Sequence, residues 1–223
     1  MELFDVMRTT FAARHFTDDP VSDEAIVDLL EHARFAPSGG NRQPWHVIIV
    51  RQPATRRALA DSINPTMRRY AAQVNLGENP WNDVSPTELS QEDIDATKVP
   101  GFVDPVTQAP VLLAVLADRR VMAAFDQDLE RTGIVSGASI YPFVWNILLA
   151  ARSQGLGGTC TTFAAANEQA VLKLLDAPDH FAIAALIPLG RPVKQLTKLR
   201  RRPVATFLTK ERFTGAVVEP ARQ

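Results

Sequence analysis

Apolar residues recur along this chain with two periods, and the switch between them predicts its elements. Ile26, Leu29, Leu30 and Ala33 fall at i, i+3, i+4 and i+7, one face of an amphipathic helix. Ser22 reads as its N-cap, with Asp23 and Glu24 in the first turn, where the helix dipole favours anions. Pro37 disfavours helical geometry at Ala36, so this helix is expected to end near Phe35. Val47 to Val50 is a β-branched run and reads as a buried strand, as do Val111 to Leu116 and Ala182 to Leu189. Arg56 to Tyr70 has a helical pattern, with Arg56, Arg57, Arg68 and Arg69 assigned to a solvated face. A helix around Asp126 to Gly133 is expected to precede the strongest helix, Ser139 to Gln154. There Ile140, Phe143, Val144, Ile147, Leu148 and Ala151 form a wide apolar stripe. Gly155 closes that helix as a left-handed C-cap, and Asn167 caps a short one carrying Val171, Leu172 and Leu175.

Between about Gly77 and Gln108 the periodicity fails. Pro80, Pro86, Pro100 and Pro105 interrupt it, while Trp81 and Phe102 stand as apolar anchors in a polar background. A connection of this length inside a compact domain is usually functional or mobile, and it also fits a surface excursion pinned by Trp81. Neither an internal repeat nor a low-complexity linker divides the chain, so residues 1–223 read as one domain. Alternating helices and apolar strands indicate layers of sheet and helix, without settling whether the sheet is purely parallel.

Composition narrows the function classes. At 223 residues, 46% hydrophobic and 22% charged, the chain can bury a sizeable core. A net charge of −1 gives no reason to expect nucleic acid or a charged membrane surface as partner. The local exception is the basic run Lys198 to Arg202. Cys160 is the only cysteine, which rules out an internal disulfide and a cysteine-based zinc cluster. The start, Met1-Glu2-Leu3-Phe4-Asp5, carries acids where a signal peptide would be basic, and no apolar run approaches the roughly 20 residues that span a bilayer. A cytoplasmic protein is the expectation. His15, His32, His46 and His180 lack metal-ligand spacing, and no Gly-x-Ser-x-Gly elbow occurs. Metalloenzyme and hydrolase readings are unsupported.

Two segments hold candidate chemistry. In Ala36-Pro37-Ser38-Gly39-Gly40-Asn41-Arg42-Gln43-Pro44-Trp45, two prolines frame glycines that permit positive φ. Ser38, Asn41 and Gln43 add groups that both donate and accept, as a planar heterocycle requires. The same residues equally fit a helix C-cap and turn with Gly39 left-handed. Gly155-Leu156-Gly157-Gly158-Thr159-Cys160-Thr161-Thr162 follows the apolar helix, and its glycines allow the main chain to approach a ring face. Cys160 is expected to be a packed small apolar residue rather than a nucleophile, since no basic neighbour lowers its pKa.

The block APS-G-x-N-x-Q-P-W resembles the signature of the nitroreductase-like flavoproteins. Arg14-His15-Phe16 with Asp19-Pro20-Val21, then Gly155-Leu156-Gly157, then Leu189-Gly190-Arg191-Pro192 and Arg201-Arg202-Pro203 match in the same order. This resemblance implies an α+β sandwich with a central mixed β-sheet flanked by helices. It also implies a homodimer in which a C-terminal arm, here Val204 to Phe207 and the tail to Gln223, crosses to the partner. FMN would lie at the dimer interface, and residues 77–108 would be a candidate cover over it. Arg14 and Arg201 match the residues that hold the phosphate. Thr10-Phe11-Ala12 stands where the family often has Arg-Arg-Ser, leaving Thr10 and Arg8 to supply contacts there. Pro37, Ser38, Gly39 and Asn41 would meet the ring edge. Gly158, Cys160, Thr161 and Thr162 would lie beside the ring, with the Thr162 N–H aimed at its reactive nitrogen. The basic run Arg200 to Arg202 also fits a solvated loop. The implied activity is transfer of hydride from NADH or NADPH through the flavin to a small-molecule acceptor, a nitroaromatic, quinone or enone. No side chain is assigned a catalytic role, because the flavin carries the chemistry. A non-catalytic flavin-binding or sensing protein, and a flavin-fragmenting or dehalogenating relative, are the alternatives of the same fold.

Overall fold

Side-chain alternation in two long strands puts apolar groups on both faces of one sheet, and that dictates a helical layer on each side. The computed structural model describes residues 1–99, 101 and 103–218. Pro100, the expected anchor Phe102 and the end of the tail, 219–223, lie outside the described residues. In chain order the elements are α1 (Leu3–Thr9), α2 (Asp23–Ala33), β1 (Trp45–Val50), α3 (Pro53–Asn75), α4 (Gln91–Ala96), α5 (Asp104–Gln108), β2 (Val111–Asp118), α6 (Tyr141–Ser153), β3 (Gly157–Gly158), α7 (Glu168–Leu174) and β4 (Phe181–Gly190). The sheet order is β1-β2-β4-β3.

Val111, Leu113, Val115 and Ala117 of β2, with Ala185, Ile187 and Leu189 of β4, pack against Ile26, Leu29 and Ala33 of α2 and Phe143, Ile147 and Ala151 of α6. The intervening Leu112, Ala114 and Leu116 face the other way, against Leu59 and Ile63 of α3 and Val171 of α7. A bulge in the β2–β4 register at Val115/Leu116 puts Ala184 and Ala185 consecutively on the α6 face. The α+β class holds. The sheet is not mixed within the chain, however: every ladder between named strands is antiparallel. The one parallel pairing among the described residues is the isolated bridge between Ala12 and Gly158.

Several expectations change for identifiable reasons. The N-cap of α2 forms as expected, with the Ala25 N–H donating to Ser22 Oγ at 3.2 Å. The helix ends at Ala33, slightly before Phe35. β1 is half-exposed, with only Val50 buried, because it is an edge strand. Arg56 belongs to no solvated face. It is 7% exposed and donates to the carbonyls of Val50, Thr107 and Ala109, which tie the return of the 77–108 segment to the core. Burial holds its pKa below the ordinary guanidinium range. Asn167 stands before α7 without a side-chain cap bond, its amide donating instead to Ser62 O at 3.3 Å.

Residues 126–133 form turns rather than a helix. The Asp126 carboxylate, 5% exposed, accepts from the Ile134 N–H at 2.7 Å and from Arg131 Nη1 at 2.8 Å. Those bonds fold the segment back on Asp126 in competition with a helical ladder. They hold its pKa at about 2, the Ile134 N–H first and Arg131 second. A depressed folded-state pKa contributes stability above the unfolded value of about 4, and that contribution is lost as pH falls through the folded one. Asp126→Asn is therefore expected to unfold at lower urea than the parent at pH 6. The gap should close as pH is lowered from about 4 to about 2. A pH-independent gap in urea midpoints would assign the effect to packing instead.

Candidate functional site

The segment after α1 delivers Arg14 to the edge of the sheet. Ala13 N–H donates to Gly158 O at 3.0 Å, which fastens residues 12–13 along β3. Beyond β3 the chain continues as an edge: Thr161 exchanges both backbone bonds with Leu186, at 3.0 and 2.8 Å. The alternation of an edge strand turns the Cys160 and Thr162 amides away from β4, and neither N–H has a hydrogen-bond partner among the described residues. Arg14, Thr159, Cys160 and Thr161 line one cavity of about 120 Å3, together with Met67, Tyr70 and Phe163. Thr162 lines the adjoining cavity of about 450 Å3, which shares Tyr70 and Phe163. A guanidinium and two outward amides thus stand at one rim with apolar walls behind them.

The glycines of this segment meet a packing requirement of the chain itself. A Cβ on Gly158 would lie 2.7 Å from Pro188 O and 3.2 Å from Leu148, and one on Gly157 would lie 2.8 Å from Pro192. Both residues are buried, and their small size lets Leu148 of α6 and Pro188 of β4 close on Gly158, and Pro192 on Gly157. Cys160 is exposed rather than packed, because it occupies the open edge. Desolvation nonetheless pushes its thiol pKa up, which keeps the sulfur protonated and unsuited to nucleophilic attack.

The second candidate segment is a rigid loop held apart from that rim. Gln43 N–H donates to Ser38 Oγ at 2.9 Å, Asn41 N–H to Ser38 O at 2.9 Å, and Gln43 Nε2 to Asn41 Oδ1 at 3.2 Å. Gly40, Asn41 and Gln43 have φ of 60°, 54° and 48°, so Gly40, not Gly39, takes the left-handed turn. Gly39 N–H donates instead to Ser139 Oγ at 3.1 Å, which fastens the loop just ahead of α6. Pro37, Gly39 and Asn41 are exposed and Ser38 is half-buried. The Asn41 amide nitrogen has no partner among the described residues, and the Ser38 hydroxyl keeps its proton to donate. Ser136, Gly137, Ile140 and Tyr141, next to Ser139, line a hollow of about 1300 Å3. No residue of 36–43 lines the Arg14 cavity. Within one chain the two candidate segments do not share a cavity.

Other candidates fall outside both. Thr10 is buried and its hydroxyl donates to Val6 O at 2.7 Å, so its proton is already committed. Arg8 lies 6.0 Å from the Phe4 ring on exposed α1. Arg201 is exposed, bonds to Arg200 O at 2.8 Å, and lines neither cavity. Tyr70, Phe163 and Tyr141 are wall residues that sequence reasoning passed over, since a single aromatic carries no distinguishing pattern. Tyr141 donates weakly to Ala184 O at 3.4 Å, and burial raises its pKa. Among the described residues no three His, Cys, Asp or Glu side chains cluster as a metal site.

A model of the Nitroreductase family matches residues 7–191. A protein named NADH dehydrogenase from Thermus thermophilus is 31% identical over 193 residues, covering 86% of this chain and 87% of its own. A 5,6-dimethylbenzimidazole synthase from Rhodobacter capsulatus is 32% identical over 193 residues, covering 85% and 83%. The crystal structure of an iodotyrosine deiodinase bound to FMN and 3-iodo-L-tyrosine superimposes with a TM-score of 0.66 at 22% identity. That superposition covers 91% of this chain and 96% of the other.

Proposed function

The chain belongs to the nitroreductase family, and from that premise we propose that it is an FMN-dependent NAD(P)H oxidoreductase reducing a small nitroaromatic, quinone or enone. The observation that carries this reading is the convergence of Arg14 with the unpartnered Cys160 and Thr162 amides at one rim. Those residues fit the group. A planar fork suits a phosphate, and backbone donors suit a ring edge that gains negative charge. Bound FMN would supply the two-electron relay between donor and acceptor. The Thr162 N–H would stabilise the charge that develops at the ring, and Tyr70 and Phe163 would keep water from that side. Ser38 and Asn41 would meet the ring's polar edge from the partner subunit, because their own chain holds them away from Arg14.

A homodimer follows from this division. Exposed Tyr141 and Trp145 on α6, and Phe207 and Phe213 in the arm, are 45%, 44%, 62% and 98% accessible in the single chain. Apolar surface of that extent is normally covered. Arg201, just ahead of the arm, would reach the phosphate only across that interface. We also place the protein in the cytoplasm, with its nicotinamide donor. Among the described residues no helix is long and apolar enough to cross a membrane.

The test is spectroscopic. The purified protein, supplied with FMN, is expected to be yellow, to bleach with NADH or NADPH, and to recolour on adding nitrobenzene. A yellow protein that neither donor bleaches would be a flavin-binding protein without this activity. Release of a fragmented flavin in air would move the reading to the flavin-fragmenting alternative.

A further inference from the structure

The 77–108 segment, which carries α4 and α5, meets the candidate site at Pro80 and Trp81 in one cavity and at Pro105 and Val106 in the other. Trp81 lines the roughly 450 Å3 cavity together with Tyr70, Thr162 and Phe163. Tyr70 and Phe163 already pack edge to face, with centroids 5.3 Å apart. Trp81 has φ of 53°, a conformation a bulky side chain adopts only where its surroundings over-determine it.

Those surroundings are present. The Trp81 N–H donates to Oε1 of Gln73 at 3.3 Å, and Gln73 Nε2 donates to Glu78 Oε2 at 3.0 Å. Glu78 also accepts from Thr87 Oγ1 at 2.7 Å and from the Glu88 N–H at 2.8 Å. Asp83 accepts from the Thr132 N–H at 3.1 Å, which ties the same turn to the Asp126 segment. Arg69 lies over the indole, 4.8 Å from the ring centroid. Trp81 is still 45% exposed, so part of its surface is free. None of the residues lining this cavity is charged.

We propose that Trp81 is the specificity-determining wall of the acceptor site, selecting flat, uncharged aromatic acceptors by stacking, with Arg69 as the positioning residue that fixes the indole. This rests on the flavin-reductase reading above. Three aromatic rings around one cavity favour a flat ring in offset or edge contact. A carboxylate on that ring would lose hydration against a lining that offers no countercharge. The guanidinium of Arg69 lies over the indole, and its charge is the last and smallest of the influences that hold the Glu78 carboxyl below the ordinary range, after the bonds from Gln73, Thr87 and Glu88.

The experiment measures binding of nitrobenzene and of 4-nitrobenzoate to the oxidised, FMN-loaded protein by equilibrium dialysis, with no donor present. It is paired with steady-state reduction of both compounds. Wild type should bind nitrobenzene at least about tenfold more tightly than 4-nitrobenzoate. Trp81→Ala should weaken nitrobenzene binding, and raise its KM, by about tenfold. The far-ultraviolet circular dichroism of that variant should match the parent, which separates a lost wall from a lost fold. Trp81→Phe should retain most of the affinity, and Arg69→Met should lose about threefold by loosening the indole. Unchanged nitrobenzene affinity in Trp81→Ala, or equal affinity of wild type for both compounds, would overturn the proposal. Failure of the flavin reading appears separately, as absence of donor bleaching, while dialysis still reads the cavity.

Discussion

Ending the chain after Arg202 is expected to cost dimerisation and FMN retention together. Among the described residues, every hydrogen bond made by residues 203–218 stays within that segment. Lys210 N–H donates to Ala216 O at 2.9 Å, Val218 N–H to Leu208 O at 3.3 Å, and Thr206 Oγ1 to Pro203 O at 2.8 Å. The arm contributes Phe207 and Phe213 to the surface and no hydrogen bond to the sheet, so a folded body should survive its removal. Sedimentation should then show a monomer with unchanged far-ultraviolet circular dichroism and no yellow colour. Obligate interfaces are large and apolar, and the loss should be nearly complete rather than graded. A truncated protein that remains dimeric, or a yellow monomer, would remove the arm from the interface.

The second large effect belongs to Arg14. Its guanidinium is the one cation lining the cavity beside Thr159 to Thr161. A hydrogen bond to a charged group contributes about 1.5–3 kcal/mol, and 1.4 kcal/mol is a decade in affinity. Arg14→Ala should therefore raise the FMN dissociation constant by at least about tenfold. Because Arg14 is exposed and its one bond within the chain is a 3.4 Å contact to Ala12 O, the folded structure should not change. FMN titration by flavin fluorescence quenching measures the shift. An unaltered constant would take Arg14 out of the phosphate site.

How far the sequence carried depends on the range of the interactions involved. α2 was legible because its signals are local: Ser22, two acids and a heptad of apolar positions lie within twelve residues. The strands β2 and β4 were legible because burial on both faces leaves an unbroken apolar run. Arg56 was misread because its acceptors, Thr107 and Ala109, lie more than fifty positions away. The turn at Asp126 was misread because a carboxylate taking the Ile134 and Val135 amides leaves no periodic trace.

The site divides in the same way. The composition of the Pro37 loop pointed to a polar, preorganised turn. Its left-handed residue moved from Gly39 to Gly40 because Gly39 N–H is engaged by Ser139, a contact across 100 positions. Resemblance pointed to Arg14 and the Cys160 to Thr162 segment, and the structure adds that this segment is an open edge. Gly157 and Gly158 also answer to packing that the sequence does not display, against Pro192 for the first and against Leu148 and Pro188 for the second. Tyr70, Phe163 and Trp81 meet only through the fold.

The central claim is that one flavin site is assembled from the Arg14 rim of one chain and the Asn41 loop of another. Mixing two full-length variants, each defective in one half-site, tests it. Arg14→Ala disables the rim. Asn41→Gly removes the amide while tolerating φ of 54°, which a leucine would not. FMN is held at a concentration that neither variant binds alone, and subunits are exchanged to equilibrium, verified by a mass tag on one of them. Random pairing makes half of the dimers mixed, and a two-fold dimer then carries one intact and one doubly defective site, so flavin binding should recover to about a quarter of wild-type sites. Binding that stays at the level of the separate variants after confirmed exchange would place Arg14 and Asn41 at the same flavin from one chain, and would contradict the account.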